Sequence, residues 1–350
     1  MLILGIETSC DDTSIAVLKA ESEQFEVLSN VVSSQIQTHA PYGGVVPVLA
    51  AREHEKNLPV VLSRVLHDTG YMIHDMDLVA VTSGPGLIMS LVKGVNFAKE
   101  LAQKNNKKII GINHMAGHIY SNWLSGQTPE FPALCLIVSG GHTELVLMHN
   151  HGKYELVGRT VDDASGEAFD KIARLIGLEY PGGPSISREA DKFQASSTKS
   201  QIKLPRPMIH SKDFNFSFSG LKTSVLYLVR DLKSRLKSRF NLEMNEEIRA
   251  EIAHEAQEAI VDVSISKTKK AIELYRPKSV LLAGGVSANK LLRKRFDELA
   301  LTLHVTSYTP DMKYTTDNAA MIAIAAYHVT RNIDHASFPE VRADANWEIV

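Results

Sequence analysis

The stretch Leu2-Ile3-Leu4-Gly5-Ile6-Glu7-Thr8-Ser9-Cys10-Asp11-Asp12-Thr13 opens with an apolar, β-branched run and then turns abruptly polar. Such a run predicts a buried strand, and the polar residues after it predict a tight turn. Two more strands are predicted over residues 13–18 and 25–32. The chain therefore begins with a sheet whose first turn carries two carboxylates, Asp11 and Asp12.

The same order of elements returns in the second half. Residues 133–161 predict a strand, a glycine turn and two further strands, and a strand–turn–helix unit over residues 77–103 has a counterpart from residue 279 onward. A repeat of this size predicts an α/β fold of two related lobes, with ligands bound in the cleft between them. We expect an N-terminal lobe of residues 1–118 plus 318–350 and a C-terminal lobe of residues 119–317.

The composition excludes several classes of protein. Lysine and arginine total 38 against 40 acidic residues, so a nucleic acid would have to be held by local patches rather than by a global basic field. Two cysteines, Cys10 and Cys135, make no disulfide framework and suit a reducing compartment. No stretch approaches the ~20 apolar residues of a membrane span, and the start lacks the basic residues of a signal peptide. We expect a cytoplasmic protein with no membrane association.

His114 and His118 are the strongest sign of chemistry. Four residues apart on a helix, both imidazoles lie on one face and can reach one divalent cation, although surface or capping histidines would show the same spacing. Zinc proteases with such a pair place a glutamate directly after the first histidine as general base, and Met115 stands there instead. Asp317 opens an alanine-rich helix, where it either faces the helix dipole or supplies a third ligand.

Glycine-rich turns recur at matching places in the two predicted lobes. Backbone N–H groups in such turns can hold phosphates, although each turn alone is also an ordinary tight turn. The candidates are residues 9–13, 83–86, 139–143 and 284–289, with a fifth turn at 181–184. Asp11 and Asp12 on the first of them either position a metal or accept a proton, or are two solvated turn carboxylates.

Ten motifs in order carry a resemblance that covers residues 2–325. They are residues 5–13, residues 39–47 with the core Tyr42-Gly43-Gly44-Val45-Val46-Pro47, Ser83-Gly84-Pro85-Gly86-Leu87, the pair His114 and His118, Val138-Ser139-Gly140-Gly141-His142-Thr143, Gly166-Glu167-Ala168-Phe169-Asp170-Lys171, residues 180–184, Phe216-Ser217-Phe218-Ser219-Gly220-Leu221-Lys222-Thr223, residues 283–289 and Thr316-Asp317-Asn318. The series resembles the bacterial TsaD family of tRNA threonylcarbamoyladenosine transferases, formerly called glycoproteases.

That resemblance implies two duplicated lobes of the actin-like ATPase (ribonuclease-H-like) fold with an inter-lobe cleft. It implies transfer of a threonylcarbamoyl group from threonylcarbamoyl-AMP to the N6 amine of the adenosine 3′ of the anticodon, in tRNAs reading codons that begin with A, with release of AMP. One divalent metal ion, iron with zinc as the alternative, would be held by His114, His118 and Asp317. The implied partners are tRNA, the paralogue TsaB, the ATPase TsaE and a separate synthase that makes the adenylate.

The resemblance also assigns an adenylate site. By position its residues are Ile137, Val138, Ser139, Gly140, Gly141, Asp170, Gly183 and Asn289. We expect the N–H groups of the turns at 9–12 and 139–141 to hold phosphate, with Asp11 and Asp12 as the catalytic carboxylates and Asp11 taking the proton of the amine. Asp12 stands where the family commonly has glutamate, and Ser187 stands where many members have aspartate.

Two alternatives remain open at this stage. An ATP-dependent small-molecule kinase on the same fold would explain the glycine turns and the two lobes but would leave the histidine pair unused. A helix with Arg230, Lys233, Arg235, Lys237 and Arg239 is either a solvated charged face or a tRNA-facing patch.

Overall fold

A computed structural model describes residues 1–195, 200–239, 245–331 and 340–350, with all of their side chains except those of residue 233 and residues 235–239. The predicted basic patch therefore lies outside the described side chains for Lys233, Arg235, Lys237 and Arg239.

Two five-stranded sheets form the framework. Their strands are β1 (Leu2–Glu7), β2 (Asp12–Glu21), β3 (Gln24–Ser34), β4 (Leu78–Gly84), β5 (Lys108–Asn113), β6 (Ala133–Val138), β7 (Thr143–Asn150), β8 (Lys153–Arg159), β9 (Ser279–Ala283) and β10 (Thr306–Tyr308). The first sheet has the order β3-β2-β1-β4-β5 and the second has the order β8-β7-β6-β9-β10. In both, the first three strands are antiparallel and the last two join in parallel. The predicted duplication is confirmed.

Helices cover both faces of each sheet. They are α1 (Ile36–His39), α2 (Pro47–Thr69), α3 (Ile88–Lys104), α4 (His114–Tyr120), α5 (Ser165–Leu175), α6 (Gly182–Ala195), α7 (Ser219–Arg239), α8 (Glu246–Tyr275), α9 (Lys290–Thr302) and α10 (Ala319–Thr330). None of the described helices has the length and hydropathy that a membrane span requires.

Alternation along the central strands divides the core into layers. Leu4 of β1 packs under α2 and α3, whereas Ile3 points to the opposite face, between the sheets. On β6, Leu136 packs under α5 and α8, whereas Cys135 points between the sheets. Successive strand residues face opposite sides, so a run that is apolar throughout is buried on both.

The layer between the two sheets contains α4 and α10. Residues of both helices share one hydrophobic cluster with β1 and β4 of the first sheet and with β6 and β9 of the second. Residues 319–326 of α10 are completely buried, which fits a helix that is apolar all round. The two helices thus lie where the lobes meet, and the lobe boundaries at 118 and 318 stay a prediction.

Close backbone approach sets the position of α10. A Cβ on Gly5 would collide with the carbonyl of Ala319, and the Ala319 N–H donates to Ser14 Oγ at 2.9 Å. The start of α10 is therefore pressed against β1 and β2. This contact brings Asp317, two residues earlier, next to the end of β1.

Candidate metal centre and inter-lobe cleft

His114, His118 and Asp317 lie together at the starts of the two inter-sheet helices. One ligand atom from each lies within 4.8 Å of the other two. Asp317 Oδ1 is 3.5 Å from His114 Nε2 and 3.2 Å from His118 Nε2. The helical spacing places both rings on one face, as predicted, and their centroids are 4.6 Å apart. The three side chains form one cluster although Asp317 is about two hundred residues away in sequence.

Glu7 fixes the orientation of His114. Its carboxylate is completely buried, with Oε2 2.9 Å from His114 Nδ1 and 2.6 Å from the Thr82 hydroxyl that donates to it. The Ser9 N–H donates to the other oxygen. Burial raises the pKa of Glu7, but His114 outweighs burial and holds the pKa below its usual value, so Glu7 is ionised. A carboxylate on Nδ1 leaves Nε2 of His114 directed at Asp317 and His118.

The donor set fits a metal ion. His118 is completely buried; its Nε2 lies 3.2 Å from Asp317 Oδ1 without the alignment of a hydrogen bond, and its Nδ1 has no hydrogen-bond partner among the described residues. Buried polar atoms normally have a partner, and a cation beside Asp317 would supply one to Nε2. Two imidazoles and one carboxylate match the open ligand sets of catalytic metals. Burial lowers the pKa of His118, and His114 adds to this effect, so its ring is neutral and can ligate.

The backbone carbonyl groups of the acidic turn between β1 and β2 accept hydrogen bonds from neighbouring segments. Leu87 N–H donates to the Ser9 carbonyl at 2.8 Å, Ser90 Oγ donates to the Cys10 carbonyl at 3.2 Å, and Gln35 N–H donates to the Asp11 carbonyl at 3.2 Å.

His54 supports the same turn from α2. Its Nε2 lies 3.0 Å from the Cys10 carbonyl and its Nδ1 lies 2.8 Å from Thr13 Oγ1. The backbone that carries Asp11 and Asp12 is therefore anchored by hydrogen bonds from α2, α3 and the end of β3.

Asp11 and Asp12 are half-buried carboxylates whose pKa values are raised. Burial is the largest cause for both, and the negative charge of Asp317 adds to it, which shows that the turn lies near the trio of His114, His118 and Asp317. The pKa of Asp12 reaches about 7. No described residue donates a hydrogen bond to Asp12 Oδ1. Asp12 is thus able to take and release a proton near neutral pH.

The glycine turn after β6 is exposed and lies near the trio. Gly140 and Gly141 are exposed, and a Cβ on either would meet nothing within 4 Å. The turn is closed by two hydrogen bonds between Ser139 and His142, of 2.8 and 3.1 Å. Burial lowers the pKa of His142 to about 4, and the nearby His114 and His118 add to this. A neutral imidazole of the second lobe therefore lies beside the trio.

Ile137 and Val138, by contrast, are fully buried in the core. Their side chains belong to the inter-sheet cluster and the second-lobe cluster, respectively. They carry the turn but present no side chain to the cleft.

Asp170 contacts the start of α6 through Gly182, the neighbour of Gly183. Asp170 Oδ1 accepts a 2.6 Å hydrogen bond from the Gly182 N–H, whereas a Cβ on Gly183 would meet nothing within 4 Å. Burial raises the pKa of Asp170, and the charge of Asp11 contributes, so the two carboxylates lie near each other. Burial and then the charges of Asp11 and Asp170 raise the pKa of Tyr180, so its hydroxyl stays protonated.

Asn289 caps α9 and anchors a polar cluster. Its Oδ1 accepts from the Leu292 N–H at 3.0 Å. Its amide donates to Ser187 Oγ at 3.0 Å and to Gln257 Oε1 at 2.8 Å, and Ser187 also donates to Gln257 at 2.7 Å. In this chain the serine at 187 is engaged with neighbouring side chains rather than offering a carboxylate.

In two of the predicted phosphate-binding turns, glycine is required because another stretch of backbone packs against the turn. A Cβ on Gly84 would collide with the Asp344 carbonyl, and one on Gly86 would press on the Ser9 carbonyl. A Cβ on Gly284, whose φ is +87°, would collide with the Val138 carbonyl. Residues 83–86 are covered by the C-terminal segment, which explains these glycines without a phosphate; their role as a phosphate cradle stays a prediction.

Sequence reasoning missed several residues that contact or surround the site. Glu7, His142 and Tyr180 lie inside motifs that were singled out, but their contacts with the site join positions far apart in sequence, so the motifs did not reveal these roles. His54 and Gln257 lie in none of the quoted motifs and gave no signal.

Comparisons with known proteins identify the family of this chain. The model of the family described as TsaD, tRNA N6-adenosine threonylcarbamoyltransferase, matches residues 26–324. Curated relatives with the same name include one from Thermosipho melanesiensis, 47% identical over 93% of this chain and 94% of the relative. Another, from Halalkalibacterium halodurans, is 46% identical over 93% of this chain and 90% of the relative.

A solved structure supports the fold. Full-length HypF in its phosphate- and nucleotide-bound form superposes with a TM-score of 0.62 at 12% identity, over 97% of this chain and 47% of HypF. At that identity the likeness concerns architecture alone, and it agrees with the predicted two-lobe actin-like ATPase fold. The family match covers most of the chain, and the relatives match it nearly end to end. The chain therefore belongs to the TsaD family of tRNA N6-adenosine threonylcarbamoyltransferases.

Proposed function

We propose that this protein transfers the threonylcarbamoyl group of threonylcarbamoyl-AMP to the N6 amine of the adenosine 3′ of the anticodon, in tRNAs that read codons beginning with A. AMP is released. The observation that carries this proposal is the His114, His118 and Asp317 cluster, which opens between an acidic turn and a glycine turn in a chain of this family. A donor substrate, an acceptor amine and a proton acceptor can all meet there.

The chemistry requires positioning and one proton acceptor. A C–N bond forms between N6 and the carbamoyl carbon while the bond from that carbon to the AMP oxygen breaks. Because the donor is already activated, holding the amine against the carbonyl supplies much of the rate enhancement. The proton of the amine passes to a carboxylate of the acidic turn. Asp12, with a pKa of about 7, is tuned for this transfer, and Asp11 is the second candidate.

His114, His118 and Asp317 would hold a divalent cation through Nε2 of each imidazole and a carboxylate oxygen. Such an ion would supply Lewis-acid polarisation of substrate oxygens and stabilisation of developing negative charge. We propose iron, with zinc as the alternative, because two histidines and one carboxylate with open positions are the ligand set of non-haem Fe(II) sites. Glu7 keeps His114 in the tautomer that ligates through Nε2.

The adenylate lies against the second lobe in this proposal. Gly140 and Gly141 offer an open backbone surface for phosphate, next to the Ser139 end of β6. Asp170, Gly183 and Asn289 line the neighbouring wall. Ile137 and Val138 contribute through their backbone only, because their side chains are in the core.

The partners follow from the same proposal. The protein works on tRNA in the cytoplasm with the paralogue TsaB, the ATPase TsaE and a separate synthase that makes the adenylate. Cys10 and Cys135 are both free thiols, which supports a reducing compartment. Arg230 on α7 begins the candidate tRNA-facing patch.

The kinase alternative is not favoured. A kinase would use glycine turns and two lobes, but it has no use for a buried imidazole pair joined to Asp317, and two curated relatives over 40% identical carry the transferase name.

Transfer can be reconstituted to test the proposal. Purified protein is incubated with threonylcarbamoyl-AMP, unmodified tRNA and the partner proteins, and the digested tRNA is analysed for the modified nucleoside by mass spectrometry. We expect product with the wild type and none with His114→Ala. Product that forms equally well without this chain, or phosphoryl transfer from ATP to a small molecule, would overturn it.

A further inference from the structure

The C-terminal segment crosses the turn that precedes α3. Asp344 N–H donates to the Ser83 carbonyl at 2.7 Å, and Gly86 N–H donates to the Ala345 carbonyl at 3.3 Å. Gly84 lacks a side chain at the point where the Asp344 carbonyl approaches, and any Cβ there would collide with it. The glycines of this turn thus accept a segment of the chain itself.

Two residues further on, the segment reaches the start of the metal-binding helix. The side chain of Asn113 caps α4: its Oδ1 accepts from Met115 N–H at 2.9 Å and from Ala116 N–H at 3.2 Å. Its amide nitrogen donates to the Trp347 carbonyl at 3.0 Å. Asn113 is only 7% exposed, so water can hardly replace this carbonyl as the hydrogen-bond acceptor of its amide.

Both ends of the segment are anchored. Val341 is 5% exposed in the core beneath α2 and α3, and Ile349 packs against the inter-sheet cluster. Glu348 also pairs with Arg159 of β8 at 2.9 Å, which ties the segment to the second lobe. That pair is exposed on both sides, at 55% and 68%, so its contribution to stability is small. Backbone hydrogen bonds and apolar packing hold the segment in place.

We infer that residues 341–349 form a C-terminal brace that positions α4, and with it His114, through Asn113. The match to the family model ends at residue 324, before this segment begins. The inference rests on the proposed metal centre. Its physical basis is that removal of the Trp347 carbonyl leaves a buried amide donor unpaired and releases the rotamer that caps the helix. His114, the first residue of α4, then loses its fixed position.

The brace can be removed in two ways. One variant lacks residues 341–350, and the other is Asn113→Ser, which keeps a neutral capping oxygen but removes the amide donor. The affinity for Zn²⁺ is measured by competition with a chromophoric chelator. We expect each variant to bind Zn²⁺ about 10-fold more weakly, as for the loss of other groups that orient a ligand. The combined variant should be no worse than either one, because both changes break the same contact.

A metal-free measurement separates this inference from the proposed function. Amide hydrogen exchange at Met115 and Ala116 should be faster in both variants, whereas exchange in β6 stays unchanged. Glu348→Gln is the matched control and should alter neither readout by more than twofold. If the wild type fails to bind Zn²⁺, the proposed centre fails while exchange still tests the brace. Additive losses of Zn²⁺ affinity in the combined variant, or unchanged exchange at Met115 in Asn113→Ser, would overturn the brace. If the truncated chain does not fold, Asn113→Ser decides alone.

Discussion

The turns that follow the central strand of each lobe occupy equivalent places and carry opposite chemistry. In the first lobe, β1 leads into Asp11 and Asp12, two half-buried carboxylates on a backbone held by His54 and Gln35. In the second lobe, β6 leads into Gly140 and Gly141, which are exposed and leave open space. Duplication therefore preserved the sheets, while the turn residues diverged into an acidic wall and a glycine wall, for which we propose the roles of proton acceptor and substrate-binding surface. The metal-binding trio lies between them.

Removal of a metal ligand should have the largest effect, because the trio serves both walls. His118→Ala removes a buried imidazole that contacts Asp317, and we expect metal affinity to fall by more than ~100-fold, beyond the loss seen for groups outside the ligand set. Transfer should fall below detection. Metal content by mass spectrometry and product formation are measured together. The matched control is His67→Ala, an exposed histidine on α2; a His118→Ala protein that keeps its metal would contradict the assignment.

The acidic turn is tested by removing its charge without changing its shape. Asp12→Asn should lower kcat by ~10²-fold or more, the usual contribution of a positioned base, while adenylate binding survives. Asp11→Asn is the comparison that identifies the base. We expect the larger loss at Asp12, because its Oδ1 has no described hydrogen-bond donor. A larger loss at Asp11 would transfer the role to that residue, and near-normal turnover by both would remove the carboxylate base from the mechanism.

Much of this arrangement was predictable from sequence, for reasons that differ between residues. The strand–turn–strand units were predictable because β1 and β6 are buried on both faces and hence apolar throughout. The proximity of His114 and His118 was predictable because residues four apart in one helix lie on the same face. Glu7 was not, because its contact with His114 spans 107 positions. The role of residues 83–86 was also hidden, since a glycine needed for a backbone crossing has the same appearance in sequence as one needed for a phosphate.

The pH dependence of transfer should follow Asp12. Its carboxylate form accepts the proton, so kcat rises with pH below the pKa and levels above it. Burial raises that pKa, to about 7 with the contribution of Asp317. A bound cation reduces the contribution of Asp317 but leaves burial intact, so the midpoint in loaded enzyme should lie at or somewhat below 7. The profile is recorded between pH 5 and 8.5. Asp12→Asn should lose this limb, and an unchanged midpoint in that variant would assign it to another group.

Loss of the group that orients His114 should lower the metal affinity of the same centre by a smaller factor. Glu7→Ala removes the carboxylate that holds Nδ1, and we expect metal affinity to fall by ~10–100-fold. Glu7→Gln keeps an acceptor but loses the charge and should fall between the wild type and Glu7→Ala. In the His114→Ala background, Glu7→Ala should add nothing further, because its effect passes through that ring. Calorimetric titration with Zn²⁺ measures the wild type and all four variants; a full additional loss in the double variant would mean that Glu7 supports the fold and not the ligand.

The smallest effect distinguishes glycines that face a ligand from glycines that face the protein. Gly140→Ala meets open space, so its free energy of unfolding should stay within ~0.5 kcal/mol of wild type. A methyl group there should still raise KM for the adenylate several-fold by intruding on the phosphate. Gly284→Ala is the matched variant: its φ of +87° and the Val138 carbonyl make it destabilising. Thermal unfolding and KM together separate the two. A Gly140→Ala protein with normal KM would move the proposed phosphate site away from the second-lobe turn, and the acidic wall would then be the half of the comparison that still has to account for substrate binding.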